Sequence, residues 1–535
     1  MLVDDGRITW LGAADAVPEP APDTRVDLGD ATVIPGLIDS HQHLMSWLWL
    51  ANWIDCRDCR SPEAVAGRLR ERAPSVPEGP WIVGWGYDAG AAEGGRRATR
   101  WQLDAVSEDR PVLLVESSFH QGCANSAALT AVGWNRDTPR RWGGELERDR
   151  RGEHTGMAWE KAFSVLELAA RRAELDTYGA SASARVADIV QARLAEGLTH
   201  VSEALATADD VAVLTARSWP IGFTLMTSSS HGSFTAPWDA LDGPRTGEGD
   251  PATTGIGHLK LFSDGAERAA LSLPVLRTIE QTATMLRRAF RSRDAAGLRV
   301  LTGAKASISG GRLVSGTLLY PPGRMADLVS AALEKGFLVA VHALGNRGVS
   351  AALDALEEAR RRTGIDVAGC RLEHAMFVED RDIERAASMR LVFSMQPGHA
   401  VHYARTLVAT GVDRVLDPVA LRKVLDGGVR LAISSDGPTA PGTALDNMRA
   451  AVDRLTPDGT VMRGDLAITR EEALRAATLG GAEACGVDAL KGSLEPGKQA
   501  DFAVLTGDPF DPATRVVEAW VAGTRVFARA DSQAS

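Results

Sequence analysis

The chain has 535 residues, and 59 basic against 70 acidic side chains give a formal net charge of −11. This length predicts either several domains or one large barrel with insertions, and the acidic balance argues against nucleic acid or an anionic membrane surface as a partner. No apolar run approaches the roughly 18 residues that span a bilayer, and the first residues lack the pattern of a signal peptide. Five scattered cysteines argue against a disulfide framework. We therefore expect a soluble, cytoplasmic α/β protein of enzyme size.

Both ends of the chain are predicted to form strands of one small β domain. The first residues, LVDDGRITWLG, contain the turn Asp4-Asp5-Gly6 between two β-prone runs, which is typical of a hairpin. Near the other end, 501–510 and 516–527 alternate in the manner of strands. Because the termini of a domain commonly lie close together, we expect a β-sandwich domain built from residues 1–34 and 489–535.

The middle of the chain, residues 35–488, alternates short apolar runs with amphipathic helical patterns such as 324–336 and 348–362. Strands that alternate with helices favour parallel βα units. The number of candidate strands suggests a (β/α)8 TIM-like barrel, a fold that accommodates insertions. These eight candidates are 32–39, 199–203, 221–226, 257–262, 337–342, 370–374, 391–395 and 429–434.

Two gaps between the candidate strands are too long for simple crossovers. Residues 45–180 contain a strand-like run of their own, PVLLVES at 111–117, together with Gly-rich turns. We interpret this stretch as an inserted subdomain that lies as a lid over the barrel mouth. Between the fourth and fifth strands, the Gly- and Ser-containing segment 306–316 is a candidate mobile loop, and we expect the wider loop 301–320 to contribute to the pocket.

Several polar side chains follow the apolar runs, at the ends of strands where a barrel carries its catalytic groups. His41 and His43 are two residues apart, so a strand would turn both imidazoles to one face, where they could hold a metal ion. Two incidental histidines in a polar loop would give the same pattern. His342, His374 and Asp436 each follow another candidate strand in barrel order. Nitrogen and oxygen ligands without thiolates favour Zn²⁺ over Mn²⁺ or Fe²⁺.

Lys260 is an unusual residue for a barrel strand. In GHLKLFSDG it shares one face of the strand with His258 and Phe262, although an unpaired buried ammonium is costly. One interpretation is a structural salt bridge, with Asp264 as the candidate partner. The other is a neutral, modified lysine, because burial readily lowers the pKa of a lysine.

The ordered motifs PGLIDSHQH, KLFSDG, VHALGN, RLEHA and SSDGP, with SLEPGKQADFAVL near the C-terminus, resemble the amidohydrolase superfamily. More narrowly, they resemble amidohydrolase family 3, the YtcJ-like branch that includes N-substituted formamide deformylases. The resemblance extends from about Leu2 to Phe527. It implies a metallo-dependent hydrolase barrel flanked by a split β domain, with an insertion in which SFHQGCANSAAL is similar to a family segment.

The resemblance also implies a centre with two divalent metal ions, Zn²⁺ by preference, bridged by Lys260 after its carboxylation by CO₂. Two histidines and a carboxylate would bind the first ion and two further histidines the second: His41, His43 and Asp436 for the first, His342 and His374 for the second. A hydroxide activated by the ions would attack the scissile carbonyl. Asp436 would accept the proton and deliver it to the leaving nitrogen.

Residues at the edge of the centre are predicted to contact the substrate. The family resemblance gives His120, from the lid, a catalytic and substrate-holding role, although a structural histidine of the subdomain is an open alternative. His399 and His402 have i, i+3 helical spacing and could face the pocket together or be polar surface. Departures from the family pattern at Ser118-Phe119 and Asn346 leave the substrate open. The predicted substrate contacts are His120, Trp85, Met376, His399 and His402.

The implied function is hydrolysis of a non-peptide C–N bond, the amide of a small molecule, with an N-formyl or N-acyl amine as the favoured substrate. Two alternatives remain open: a metal-dependent lyase or decarboxylase on the same scaffold, and a catalytically silent barrel that binds a ligand. We expect a small-molecule substrate, a homodimer, and neither nucleic-acid nor membrane partners.

Overall fold

The computed structural model describes residues 1–19, 22–90, 92–138, 144–229, 239–266, 268–275 and 307–530. Eight parallel strands follow one another around a sheet in chain order, as a (β/α)8 barrel requires. The last and first strands meet where the Asp436 amide donates to the His41 carbonyl at 2.8 Å. The predicted barrel is confirmed, with strands β1 (Leu37–Gln42), β2 (Leu198–Ala206), β3 (Gly222–Thr227), β4 (Thr254–Phe262), β5 (Val339–Ala343), β6 (Arg371–His374), β7 (Val392–Met395) and β8 (Arg430–Ile433).

The first predicted strand, 32–39, is two strands in different sheets. Thr32–Pro35 pairs with Phe502–Leu505 outside the barrel, and β1 begins only at Leu37. Gly36 makes the transition, because a Cβ at this position would lie 2.1 Å from the Thr199 hydroxyl oxygen. The apolar run is continuous in the sequence, so it does not reveal the change of sheet, which requires glycine at position 36.

Both amphipathic patterns predicted from the sequence form helices with one buried apolar face. The pattern at 348–362 corresponds to the helix Asn346–Thr363, which ends at Gly364 in the left-handed conformation, with φ 71°. The pattern at 324–336 corresponds to Arg324–Glu334. The other α-helices in the described ranges are Leu44–Leu50, Pro62–Arg72, Arg100–Asp104, Ser126–Ala131, Lys161–Leu194, Ala208–Thr215, Asp380–Ser388, Pro397–His402, Ala404–Thr410, Leu421–Asp426, Ala444–Asp453, Arg470–Ala477 and Leu479–Cys485.

Strands from both ends of the chain come together, as the sequence predicts. The N-terminal hairpin turns through Asp5 and Gly6, both with positive φ, and the Ile8 amide donates to the Lys498 carbonyl at 2.9 Å. Buried apolar side chains from both ends form a small core. The strands are the hairpin Leu2–Asp4 and Arg7–Trp10 and the antiparallel sheet of Thr32–Pro35, Phe502–Leu505, Val516–Val521 and Thr524–Ala528.

The stretch predicted as an inserted subdomain contains a six-stranded mixed sheet. The run 111–117 is its strand Val112–Glu116, buried along its whole length. The long helix Lys161–Leu194 then returns the chain to β2. In spatial order, the strands of this sheet, which we call the lid sheet, are Ile54–Asp55, Ile82–Tyr87, Val112–Glu116, Gln121–Ala124, His154–Glu160 and Gly144–Arg148.

The segment predicted as a mobile loop, 306–316, is a β-hairpin over its described part. Ser307–Ser309 pairs with Arg312–Ser315, which in turn pairs with Leu271–Pro274. Gly310 and Gly311 have φ of 56° and 72°, the conformation of a tight hairpin turn. Residues 301–306 lie outside the described part of the chain. No helix in the described ranges is long and apolar enough to cross a membrane.

Candidate active site

The carboxylate of Asp436 marks the centre of the barrel mouth. It follows β8, and its Oδ1 lies 3.4 Å from Nε2 of His41 and 3.2 Å from Nε2 of His43. His41 belongs to β1 and His43 follows directly, so strand spacing turns both imidazoles the same way. We call these three residues the first triad, and their ligand atoms lie within 4.8 Å of one another.

A second group of ligand atoms shares the same carboxylate. His374 ends β6, and His399 belongs to the helix Pro397–His402 that follows β7. Oδ2 of Asp436 lies 3.6 Å from Nε2 of His399 and 4.0 Å from Nδ1 of His374. These three residues, which we call the second triad, also have ligand atoms within 4.8 Å of one another.

The two remaining predicted ligands, His342 and Lys260, line the same space. The ring of His342 lies 4.6 Å from the ring of His374, although His342 belongs to neither triad in the described part of the chain. Nζ of Lys260 lies 3.5 Å from Nε2 of His41. The structure therefore brings all six predicted metal ligands to one end of the barrel.

The suggested salt bridge between Lys260 and Asp264 is not formed. Both oxygens of Asp264 instead accept backbone hydrogen bonds, from the amides of Ala270, Leu344 and Gly345 at 2.7–2.9 Å. The carboxylate thus ties the loop after β4 to the loop after β5. Lys260 is left 1% exposed, and no ion pair to it forms among the described residues.

Burial sets the protonation of the centre. It lowers the pKa of His43 to about 4 and takes the pKa values of His342 and His374 well below the usual range. These imidazoles are therefore neutral near pH 7, with a lone pair free to bind a metal. Burial would raise the pKa of Asp436, but the neighbouring imidazoles of His41, His43 and His374 reverse this and hold it well below its usual value.

The donor set fits a divalent cation. Three buried atoms of this centre have no hydrogen-bond partner in the described part of the chain: Nε2 of His342, Nε2 of His399 and Oδ1 of Asp436. Such atoms are costly to bury unless something binds them. Two ligands of a tetrahedral ion with bonds of 2.0–2.1 Å lie about 3.3 Å apart, close to the 3.2–3.6 Å found here between imidazole Nε2 atoms and Asp436 oxygens.

Glu373 orients a ligand and has no predicted role in the sequence. Its Oε2 accepts a hydrogen bond from Nδ1 of His41, while Arg371 donates to both of its oxygens at 2.8 Å. All three side chains are completely buried. A carboxylate that accepts a hydrogen bond from the imidazole nitrogen opposite the metal fixes the orientation of the ring and raises its basicity as a ligand. The i, i+2 spacing of Arg371 and Glu373 on β6 is the signal that could have identified this pair.

Two further buried residues hold the ligands in position. Oε1 of Gln396 accepts from Nδ1 of His374 at 2.8 Å, which leaves Nε2 of His374 as its free ligand atom. On β2, Oε2 of Glu203 accepts from the Met45 amide at 2.9 Å, in the first turn of the helix that follows His43. Neither contact has a signal in the sequence, because each joins distant segments.

Two of the candidate ligands also have an unusual backbone conformation. His374 has φ 72° and Asp436 has φ 55°, in the left-handed region that non-glycine residues seldom adopt. Strained conformations of this kind are typical of functional sites. Here they turn both side chains out of the strand direction and into the barrel mouth.

The lid sheet brings His120 to the centre. Its ring lies 5.4 Å from the ring of His342, and its Nδ1 is 2.8 Å from Oε2 of Glu160, at the end of the strand His154–Glu160. Burial lowers the pKa of His120, but the Glu160 carboxylate more than offsets this and leaves it raised. Its predicted contact with substrate stays a prediction that this position supports.

The other predicted substrate contacts lie at different distances from the ligands. Trp85, on the lid sheet, has its ring 6.3 Å from Phe119, the neighbour of His120. Met376, two residues after His374, is buried. His402 is exposed and its ring packs 4.8 Å from Tyr403. Of the two histidines of the helix Pro397–His402, the structure brings only His399 to the ligand cluster.

Comparison with known proteins agrees with this geometry. The sequence pattern of the amidohydrolase family matches residues 24–527. The chain is 31% identical over 556 residues to N-substituted formamide deformylase of Arthrobacter pascens, across 99% of this chain and 95% of the relative. It is 27% identical over 533 residues to the putative amidohydrolase YtcJ of Bacillus subtilis strain 168, across 96% of this chain and 92% of the relative.

Solved structures support the fold. An uncharacterized metal-dependent hydrolase from Pyrococcus furiosus has a TM-score of 0.65 at 23% identity, over 95% of each chain. Another from Pyrococcus horikoshii OT3 has a TM-score of 0.63 at 24% identity, over 91% of this chain and 88% of the other. Nothing in the comparisons supports a lyase or a silent barrel. The chain belongs to the amidohydrolase family and is a metal-dependent hydrolase of non-peptide C–N bonds.

Proposed function

We propose that the protein hydrolyses the amide bond of a small N-formyl or N-acyl amine, with two Zn²⁺ ions at the barrel mouth. The observation that carries the proposal is the pair of triads that share Asp436, next to a buried lysine and under a lid histidine. The substrate class follows from the name of the Arthrobacter relative, N-substituted formamide deformylase.

The side chains of this protein have distinct roles in the proposed reaction. When bound, divalent ions would lower the pKa of water and polarise the scissile carbonyl. Asp436, which is ionised and belongs to both triads, accepts the proton of the attacking water and passes it to the leaving nitrogen. His120, held by Glu160 at 2.8 Å, donates a hydrogen bond to the carbonyl oxygen of the substrate.

Lys260 is proposed to carry a carboxyl group that bridges the ions. Its neutral amine attacks CO₂, one N–C bond forms, and one proton is released, which leaves an anionic carbamate with two oxygen ligands. Burial lowers the pKa of Lys260 to about 8, so a useful fraction is already neutral near pH 7. The absence of an ion pair to Lys260 among the described residues supports this role, because an unpaired ammonium is costly there.

The test combines metal analysis with product analysis. Purified enzyme is incubated with N-formyl and N-acetyl derivatives of a set of primary amines, before and after removal of metal with a chelator. We expect release of the free amine and the carboxylate, loss of turnover without metal, and its return with Zn²⁺ and bicarbonate. In ¹⁸O-labelled water, hydrolysis places label in the carboxylate. Full turnover and full metal content in a His342→Ala variant would contradict the proposed site.

Two further proposals concern the whole molecule. We expect a homodimer, which light scattering coupled to size-exclusion chromatography tests directly. We expect a cytoplasmic location, which fractionation of the source cells with an antibody to this protein tests. A monomer, or recovery outside the cytoplasmic fraction, would contradict the respective expectation without affecting the proposed reaction.

A further inference from the structure

The two oxygens of Asp436 face different sets of histidines. Oδ1 lies 3.4 Å and 3.2 Å from Nε2 of His41 and His43, respectively. Oδ2 lies 3.6 Å from Nε2 of His399 and 4.0 Å from Nδ1 of His374. The carboxylate thus lies between two pairs of imidazoles. Because Nδ1 of His374 is already bonded to Gln396, Nε2 would be the donor atom of that ring.

His399 is placed as a donor by the helix Pro397–His402. Proline at the first position suits the start of this short helix, and the ring of His399 lies nearly parallel to that of His374, at 6.2 Å and 16°. Its Nε2 is buried and has no hydrogen-bond partner in the described part of the chain. A cation satisfies such a nitrogen directly, and the 3.6 Å between this Nε2 and Oδ2 of Asp436 is close to the ligand separation of a tetrahedral site.

We infer that His399 is a ligand of the second metal ion and that Asp436 bridges the two ions, one oxygen to each. This inference rests on the proposed metal-dependent function and adds to it. It changes His399 from a substrate contact into a ligand, and Asp436 from a ligand of one ion into a shared one. The predicted pair His342 and His374 then has a third imidazole partner from the strand-seven side of the barrel.

The test measures metal binding rather than activity. Metal-free wild-type enzyme and variants are titrated with Zn²⁺ in a chelator-buffered series, and bound metal is counted by mass spectrometry. We expect His399→Ala to bind one ion at least tenfold more weakly than the wild type and to keep the other. His402→Ala, in the same helix but with an exposed ring, is the matched control and keeps the Zn²⁺ affinity of the wild type. His43→Ala is expected to weaken the other ion.

The outcomes separate the inference from the proposed function. If wild-type enzyme binds no divalent ion, the proposed function fails. If wild-type enzyme binds metal and His399→Ala binds every ion as tightly, the inference alone is overturned, and a raised KM in that variant identifies His399 as a substrate contact. Should the alanine variant not fold, His399→Gln keeps the size and polarity of the side chain, and the same tenfold loss is expected.

Discussion

Among the residues that the structure describes, two lysines are almost completely buried, and their surroundings differ. Lys260, in the barrel mouth, is 1% exposed, and its ammonium lies 3.5 Å from Nε2 of His41 and 5.0 Å from the Phe262 ring. Lys491, where the terminal β domain joins the barrel, is also 1% exposed. It forms an ion pair with Asp501 at 3.0 Å and donates to the Ala252 carbonyl at 3.3 Å.

The difference separates two uses of buried charge. At the junction, the protein itself supplies the opposite charge, so the pair holds two parts of the fold together. In the mouth, the carboxylate of Asp436 and the imidazoles around it retain atoms without hydrogen-bond partners in the described part of the chain. Buried polar groups left in that state indicate a missing binding partner. Three substitutions and the pH dependence of one modification test this contrast.

Asp436→Asn is expected to have the largest effect. The amide accepts no proton and supplies no charge to either triad, so kcat falls by about 10²–10⁴-fold from the loss of proton transfer alone. The metal-free protein keeps its stability within about 1 kcal/mol, because the substitution preserves the shape of the side chain. Steady-state kinetics and urea unfolding measure the two effects. Asp453→Asn, at an exposed carboxylate, is the control; a kcat within tenfold of the wild type would contradict the role of Asp436.

Asp501→Asn should show the opposite pattern. It leaves the Lys491 ammonium buried without its charge partner, and removal of one member of a buried pair destabilises by about 3–5 kcal/mol. The folded fraction retains its kcat, because the Asp501 carbonyl accepts from the Gly36 amide at 3.0 Å. Asp501 therefore lies near the start of β1, at the end of that strand opposite His41. Urea unfolding and kinetics below the transition measure both. The double variant Lys491→Met with Asp501→Leu restores much of the stability; loss of bound metal in Asp501→Asn would contradict the contrast.

The sequence predicts the barrel and its ligands because both depend on local patterns. Strand alternation and barrel order are sufficient to bring His41, His43 and Asp436 to one end. The change of sheet at Gly36 and the hydrogen bond from His41 to Glu373 are different, since each depends on residues that are distant in the chain. A periodic pattern gives the face of a strand, but it gives no distance between strands.

Glu373→Gln tests the buried support of the first triad. The amide keeps the shape of the side chain but removes the negative charge next to His41, which makes that imidazole a weaker ligand. Loss of such a partner typically reduces metal affinity by about 10–100-fold, which a chelator-buffered Zn²⁺ titration measures. Glu384→Gln, at an exposed position, provides the control. Unchanged affinity would show that Glu373 serves only as the ion-pair partner of Arg371.

The smallest expected effect is the pH dependence of Lys260 carboxylation. The pKa of Lys260 is lowered to about 8 by burial, and only the neutral amine reacts with CO₂. As pH rises towards this pKa, the neutral fraction of Lys260 increases. The rate at which Zn²⁺ activates metal-free enzyme at fixed dissolved CO₂ is therefore expected to rise about eightfold between pH 6.5 and 7.5. It levels off above about pH 8.5. Stopped-flow mixing followed by activity measurement gives the rates.

A second lysine makes this prediction specific. Burial also lowers the pKa of Lys161 to about 8, but its ammonium lies 4.3 Å from the Tyr320 ring and outside both triads. If a low pKa were sufficient, mass spectrometry under CO₂ with chemical trapping would find carbamate on both lysines. Because bound ions stabilise the anionic carbamate, we expect the modification on Lys260 only, and its loss when metal is removed. Equal labelling of both residues would show that burial, and not the triads, selects the modified lysine.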